Sequence, residues 1–303
     1  MDIFSQLPNT FIIGAAKSGT TTLSRSLAQH PAVFLPAIKE PHFFSNDQRF
    51  HKGISWYKNI FYENAHESPI RLDSSTHYLF WSAKTVPRLK TIYEYRPIKF
   101  IALFRDPAER AYSWYWHMRR EQKEDLSFEE ALASEKERLA QNDESFTYLG
   151  LQRYAYLKGG RYATNLKPFL KAFPRESFHF LLLDDLKNNF DETMRNVCDF
   201  LEIDCSIPIK QVMSNKASLP RWPALQSFLI RPTGPLHSLS KQITSRLPVQ
   251  MRLSLKSNLK KKNLRSTSYP KLDPSIAVEI RKKLRHETEG LEKILDRDLS
   301  HWY

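Results

Sequence analysis

Cysteine and long apolar runs are scarce in this 303-residue chain, and acidic charge is missing from one long segment. The two cysteines, Cys198 and Cys205, lack the C-x-x-C spacing of zinc or redox sites. Two thiols in so long a chain make no disulfide framework, so a reducing interior is expected. No stretch approaches eighteen consecutive apolar residues, and Met1 to Pro8 carries neither a basic start nor an apolar run. Neither a signal peptide nor a membrane anchor is therefore expected, and a cytoplasmic location follows. Between Asp204 and Asp273 there is no Asp or Glu, yet thirteen Lys or Arg occur there, as many as the net charge of +13 of the whole chain. That stretch favours an anionic partner, whether nucleotide, acidic glycan, membrane surface or nucleic acid, or else is a solvated basic face.

With 41% hydrophobic and 13% aromatic residues, the chain can bury a core without staples. Short apolar runs at Thr10 to Ile13, Ile70 to Asp73, Ile98 to Phe104 and Phe178 to Leu183 read as buried parallel strands. Helical patterns alternate with them over Thr20 to Gln29, Lys84 to Tyr95, Pro107 to Arg120, Phe128 to Ala140, Tyr162 to Phe173 and Phe190 to Leu201. The alternation predicts an α/β fold, a P-loop-like doubly wound parallel sheet flanked by helices, with ligands at the carboxyl ends of its strands. Asp106 before Pro107, with Glu109 three residues on, is a helix start with a capping box. Beyond Asp204, Pro208, Pro220, Pro223, Pro232, Pro235 and Pro248 interrupt the pattern until a helix resumes near Pro274 to Leu295. With no internal repeat, residues 8–303 read as one domain containing a basic excursion at 205–272.

Ala15-Ala16-Lys17-Ser18-Gly19-Thr20-Thr21-Thr22 joins an apolar strand to a helix. Small residues let amides approach an anion, the helix start adds its dipole, and Lys17 with the threonines supplies a cation and hydroxyls. An ATP-binding loop carries its lysine after the second glycine. Here Lys17 precedes Gly19 by two residues, an arrangement that resembles the 5′-phosphosulfate loop of sulfotransferases.

The resemblance to that family extends from Phe11 to Trp302. Lys39-Glu40-Pro41-His42-Phe43-Phe44 is similar to the K-E-x-x-F-F segment of heparan sulfate N- and 3-O-sulfotransferases and their bacterial relatives. The match implies Glu40 as general base with His42 assisting it, although Ser45 stands where the 3-O-enzymes carry a further acid. Arg105-Asp106-Pro107-Ala108-Glu109-Arg110-Ala111-Tyr112-Ser113 resembles the 3′-phosphate motif, which implies that Arg105 and Ser113 bind that group. Arg110 reads as structural, paired with a carboxylate. Gly160-Arg161-Tyr162, Phe173-Pro174 and Asp185-Leu186 are scaffold landmarks, and Asn215-Lys216-Ala217-Ser218 and Leu295 to Trp302 match the carboxyl-terminal pattern. The family also closes a basic loop over the nucleotide. Lys260, Lys261, Lys262 and Arg265 before Tyr269 stand at that place without the K-G-R spacing of the heparan enzymes, and Lys262, Arg265 and Tyr269 are taken as its contacts.

The resemblance implies metal-free transfer of a sulfuryl group from 3′-phosphoadenosine 5′-phosphosulfate (PAPS). The acceptor is a hydroxyl or amine, expected on a carbohydrate, and peripheral contact with a membrane is compatible with the charge; no nucleic-acid partner is expected. Two other readings stay open. A P-loop kinase or ATPase needs a lysine after the glycine and an acidic magnesium site. A non-catalytic polyanion binder needs only the acid-free stretch.

Overall fold

The structure, a computed structural model, describes residues 3–65, 68–94, 96–141, 150–212, 218–222, 225, 258–259, 262–266 and 268–303. Asn215, Lys216, Ala217, Lys260 and Lys261 lie outside the described residues, as does most of the acid-free excursion.

Along the chain come β1 (Thr10–Gly14), α1 (Thr20–Leu27), β2 (Val33–Phe34), α2 (Asp47–Phe50), α3 (Gly53–Phe61), β3 (Ile70–Asp73), α4 (Ser82–Tyr93), β4 (Lys99–Phe104) and α5 (Pro107–Arg120). There follow α6 (Phe128–Ala133), α7 (Glu135–Gln141), α8 (Tyr162–Ala172), β5 (Phe178–Leu182), α9 (Leu183–Asn188), α10 (Phe190–Leu201), β6 (Ser218–Pro220), β7 (Leu264–Ser266) and α11 (Pro274–Leu295). Strands β1 to β5 form one parallel sheet in the order β2-β3-β1-β4-β5, and β6 pairs antiparallel with β7. Among the described residues no helix is long and apolar enough to cross a membrane.

Alternation along the central strands splits the core into two layers. Phe11, Ile13, Phe100, Ala102 and Phe104 pack one way, against Tyr57, Tyr93, Phe169 and Trp302. Ile12, Ile101 and Leu103 face the other, against Leu23 and Leu27 of α1 and Met194, Val197 and Leu201 of α10. Both faces are therefore covered, as a buried parallel sheet requires. The chain leaves β1 toward β2 and β3 on one side, then returns to build β4 and β5 on the other. The switch point thus falls between β1 and β4, where a doubly wound sheet opens a crevice at its carboxyl edge.

The four expected strands form, and so do the expected helices, with one division. The segment expected as a single helix over 128–140 breaks at Ser134, whose hydroxyl donates to the Glu130 carbonyl (2.5 Å). Beyond the break, Glu135 turns its carboxylate onto the amides of Leu157 and Lys158 (2.7 and 2.8 Å), so two helices meet at a buried acid. The short edge strand β2 and helices α2, α3 and α9 go beyond the sequence reading.

Candidate active site

The loop after β1 is held by its backbone. Ala15 N donates to Leu103 O across the switch point (2.7 Å), and Ser18 N donates to Ala15 O (3.2 Å). Gly19 has φ 93°, in the left-handed region, and a Cβ there would lie 2.7 Å from Leu183 Cδ1, so glycine is required. Gly19 also precedes α1 without a side-chain cap. The first-turn amides of α1, which have no acceptor within the helix, therefore face the crevice with the positive end of the dipole.

Lys17 lines a cleft of about 380 Å³ with Thr20, Thr21, Glu40, Thr76, His77, Trp114, His117 and Arg120. Its ammonium is lowered to about 7, first by burial and then by the charges of Arg120 and Arg105. Burial and the gathered cations thus both disfavour a bare ammonium there, a setting that an anion would relieve.

Arg105 follows β4 directly, and its Nη1 reaches the Lys17 carbonyl at 3.4 Å. Residues 88 positions apart in sequence thus meet because β1 and β4 are neighbours. The Arg105 guanidinium is also bound by Glu109 one turn up α5. Burial opposes ionisation of Glu109, but the Arg105 hydrogen bond outweighs it and holds the carboxyl below its usual range. Glu109 therefore does not close the capping box expected of it. Asp106 caps α5 by itself, with Oδ1 accepting from the amides of Ala108 and Glu109 (2.7 and 3.1 Å). Its other oxygen accepts from Arg281 of α11 (2.6 Å), tying the carboxyl-terminal helix to the crevice. Ser113, half-buried, lies one turn beyond Glu109 and one turn before His117 on the same stripe of α5.

Arg110 is structural as expected, but its hydrogen-bonded partners are carbonyls where a carboxylate was expected. It donates to Ala155 O and Tyr156 O (both 3.0 Å) and packs on Gly159, where a Cβ would strike its guanidinium.

The Lys39 to Phe44 segment is anchored by its aromatic end. Phe43 and Phe44 are buried, and Phe43 stacks on Tyr57 of α3 at 4.3 Å. Arg49 clamps the backbone by donating to the carbonyls of Glu40 and Pro41. His42 N donates to Ser75 Oγ (2.8 Å), and Ser75 in turn binds Asp73 at the end of β3. Burial pushes the Asp73 carboxyl up even though Ser75, Tyr57 and Tyr78 all donate to it.

These anchors leave Glu40 on the cleft wall. Its Oε2 meets His42 Nε2 at 3.1 Å and its Oε1 meets Lys39 Nζ at 2.7 Å. Lys39 Nζ also donates to Thr21 Oγ1 (2.8 Å), so one ammonium bridges the anion loop and the carboxylate. Burial works against ionisation of Glu40, but the His42 hydrogen bond and the Lys39 charge prevail and hold it well below the usual carboxylate range. His42 stacks on His77 (centroids 4.4 Å), and burial, then the neighbouring His42, lowers His77 to about 3.

The structure thus brings together Ala16, Lys17, Gly19, Thr20, Thr21 and Glu40 on one cleft, with Arg105 and His42 touching its members. Ser18 is buried in the loop, and Thr22 lies in the first turn of α1. Lys262 and Arg265 are exposed, with Arg265 on β7, and the described contacts do not join them to the loop. Tyr269 stacks on Trp116 of α5 at 4.7 Å and is not among the residues that line the cleft. Sequence reasoning did not find Thr76 and His77 after β3, nor His117 and Arg120 at the far end of α5. Trp114 of α5 lines the cleft as well, while Tyr115 is buried in the α5 core.

A sheet that places an amide loop, a lysine and an arginine at its switch point presents a site suited to a phosphorylated ligand. A model of the sulfotransferase domain matches residues 7–220, and the chain belongs to that family of PAPS-dependent enzymes. It is 30% identical over 213 residues to human bifunctional heparan sulfate N-deacetylase/N-sulfotransferase 2, covering 65% of this chain and 22% of that one. It is 32% identical over 185 residues to mouse heparan sulfate glucosamine 3-O-sulfotransferase 5, covering 59% and 49%. The chain therefore spans between about a fifth and a half of the length of these relatives. A sulfotransferase from Alicyclobacillus acidocaldarius shares the fold at TM-score 0.70 and 24% identity, over 98% of both chains.

Proposed function

We propose that residues 8–303 act as one domain that transfers a sulfuryl group from PAPS to a hydroxyl or amine of a carbohydrate or glycoconjugate. The observation that carries this reading is the meeting of Lys17 and Arg105 across the switch point, with Glu40 on the wall of the same cleft. Two cations on adjacent strand ends suit a donor phosphorylated at both its 5′ and 3′ positions. The donor set fits: a lysine lowered first by burial and then by neighbouring cations regains its proton when a polyanion sits against it. The carbohydrate acceptor is supported by the heparan sulfate relatives, and a reducing cytoplasm by the two free thiols.

When bound, PAPS supplies an activated sulfuryl group whose leaving group is a phosphate. Lys17, the α1 amides and the hydroxyls of Thr20, Thr21 and Thr22 hold the 5′ end and neutralise the charge that grows on the bridging oxygen. Arg105 and Ser113 hold the 3′-phosphate, for which Arg105 must share or release Glu109. Glu40 takes the proton of the acceptor as the acceptor oxygen or nitrogen bonds to sulfur and the bond from sulfur to the phosphate oxygen breaks. His42 orients Glu40 through its Nε2 contact. The products are the sulfated acceptor and adenosine 3′,5′-bisphosphate, and the proton rests on Glu40.

Incubating the chain with radiolabelled PAPS and a panel of glycans tests this. Glu40→Gln is expected to keep affinity for adenosine 3′,5′-bisphosphate and lose transfer; near-normal turnover would assign the base elsewhere. Adenosine 3′,5′-bisphosphate is expected to raise Tm well above adenosine 5′-monophosphate, and equal shifts would remove Arg105 from its role.

A further inference from the structure

His117 lies in the third turn of α5, on the cleft wall with Lys17 and Glu40. Its Nδ1 is 2.7 Å from Nη2 of Arg120, one turn further on. A guanidinium has donors only and keeps its charge at any working pH, so Nδ1 must be the acceptor of this bond. A ring whose Nδ1 accepts carries its proton on Nε2. An imidazolium would set two donors against each other, so the same contact keeps the ring neutral. The surroundings act in the same direction. Burial, then Lys17 and Arg120, hold His117 well below its usual range, with Glu40 opposing them and Lys123 adding to them. His77, from the loop after β3, and Glu121, beyond α5, also line the cleft. His77 is itself neutral in this pH range.

With Nδ1 committed and Nε2 protonated, His117 has no lone pair to offer as a base. We propose that Arg120 is a positioning residue that locks His117 as the neutral Nε2–H tautomer. His117 then serves as a hydrogen-bond donor to an oxygen of the sulfuryl group in transfer. The proposal rests on the sulfotransfer reading above and sharpens it: His117 keeps its proton throughout, and the acceptor's proton goes to Glu40. Arg120 is thereby distinguished from Lys17 and Arg105, since its charge reaches the donor through an imidazole.

Two measurements test this. Long-range nitrogen–proton correlation spectra of histidine-labelled full-length protein identify the His117 ring by its loss in His117→Gln. The expected pattern is the Nε2–H tautomer, unchanged between about pH 5.5 and 8; in Arg120→Met the ring is expected to mix its two neutral tautomers. A Nδ1–H ring or an imidazolium at neutral pH in the unaltered protein would overturn the assignment, as would an unchanged ring in Arg120→Met. If that variant fails to fold, Arg120→Lys, which retains one donor, is expected to keep the tautomer. In the kinetic arm, Gln places an N–H where Nε2 stands, so His117→Gln is expected to stay within about tenfold of normal kcat. His117→Ala is expected to lose about 100-fold, the scale of one lost transition-state donor. Equal losses in two folded variants would overturn the donor role. If the unaltered chain transfers no sulfuryl group, the donor role falls with the parent reading, while the spectra still decide what Arg120 does to the ring.

Discussion

Replacing Lys39 with methionine isolates the bridge between the anion loop and the proposed base. Methionine keeps the length of the stem and removes the charge 2.7 Å from Glu40 Oε1. An opposite charge this close lowers a carboxyl by about 1 to 3 pH units, worth about 1.4 to 4 kcal/mol. Both side chains are about three-quarters enclosed, so solvent screens only part of this. The His42 contact remains in the variant, so Glu40 is expected to rise by about 1 to 3 pH units, toward the usual carboxylate range and not above it. The assay is the pH dependence of kcat/KM, whose acidic limb reports the base of the free enzyme. In Lys39→Met that limb is expected to move up by about 1 to 3 pH units, with Glu40→Gln as the control that abolishes transfer. Stability follows the same sign. Glu40 is depressed in the folded chain, so its contribution is present above the ordinary carboxylate pKa and is lost as pH falls through the folded value. In the variant, that loss starts from the same ordinary carboxylate pKa but is smaller and is complete at a higher pH. An acidic limb at the same pH in both proteins would refute the argument that the ammonium sets the basicity of Glu40.

Lys17 is lowered from 10.5 to about 7, so the unfolded chain binds more protons than the folded one between those values, and this group alone makes the free chain more stable as pH rises across that interval. Binding of adenosine 3′,5′-bisphosphate near pH 8 is then expected to take up close to one proton, fading below about pH 6, as read by calorimetry in buffers of different ionisation heat. Binding without proton uptake at pH 8 would place Lys17 outside the anion site. Gly19→Ala is expected to cost about 1 to 3 kcal/mol in urea unfolding, because alanine resists a φ of 93° and meets Leu183. Asp106→Ala, losing the α5 cap and the Arg281 pair, is expected to destabilise by about 2 kcal/mol, and Asp106→Asn to recover about half of that; an alanine variant of unchanged stability would contradict both contacts.

Much of this molecule was legible before any coordinates, and the legible parts share a cause. Strands β1, β3, β4 and β5 announce themselves because each is a short apolar run covered on both faces. The Asp106 cap and the Gly19 turn are settled by residues within four positions of each other. The anion loop and the Arg105 turn are likewise local strand-to-helix junctions. Helix α3 hid because its two buried residues, Tyr57 and Phe61, make too weak a periodic signal. Strand β2 hid because two residues make no period at all.

Partner choice was the part that local pattern left open. Glu109 at the third position of a capping box has two donors within reach, the Asp106 amide and Arg105, and the guanidinium wins because a charged hydrogen bond outweighs a neutral one. Arg110 likewise settles on two carbonyls that only the packing of the 155–159 segment against α5 could present. Local residue order carries the chemistry: a small-residue loop beside a lysine, an arginine at a strand end, and an acid flanked by Lys39 and His42. Tertiary structure decided which of these meet. The order β2-β3-β1-β4-β5 sets the loops after β3, β1 and β4 side by side, and the path of α5 across them adds His117 and Arg120. Strand order is a global property, since it depends on how buried area is shared between two helical layers, and no window of sequence contains that sum.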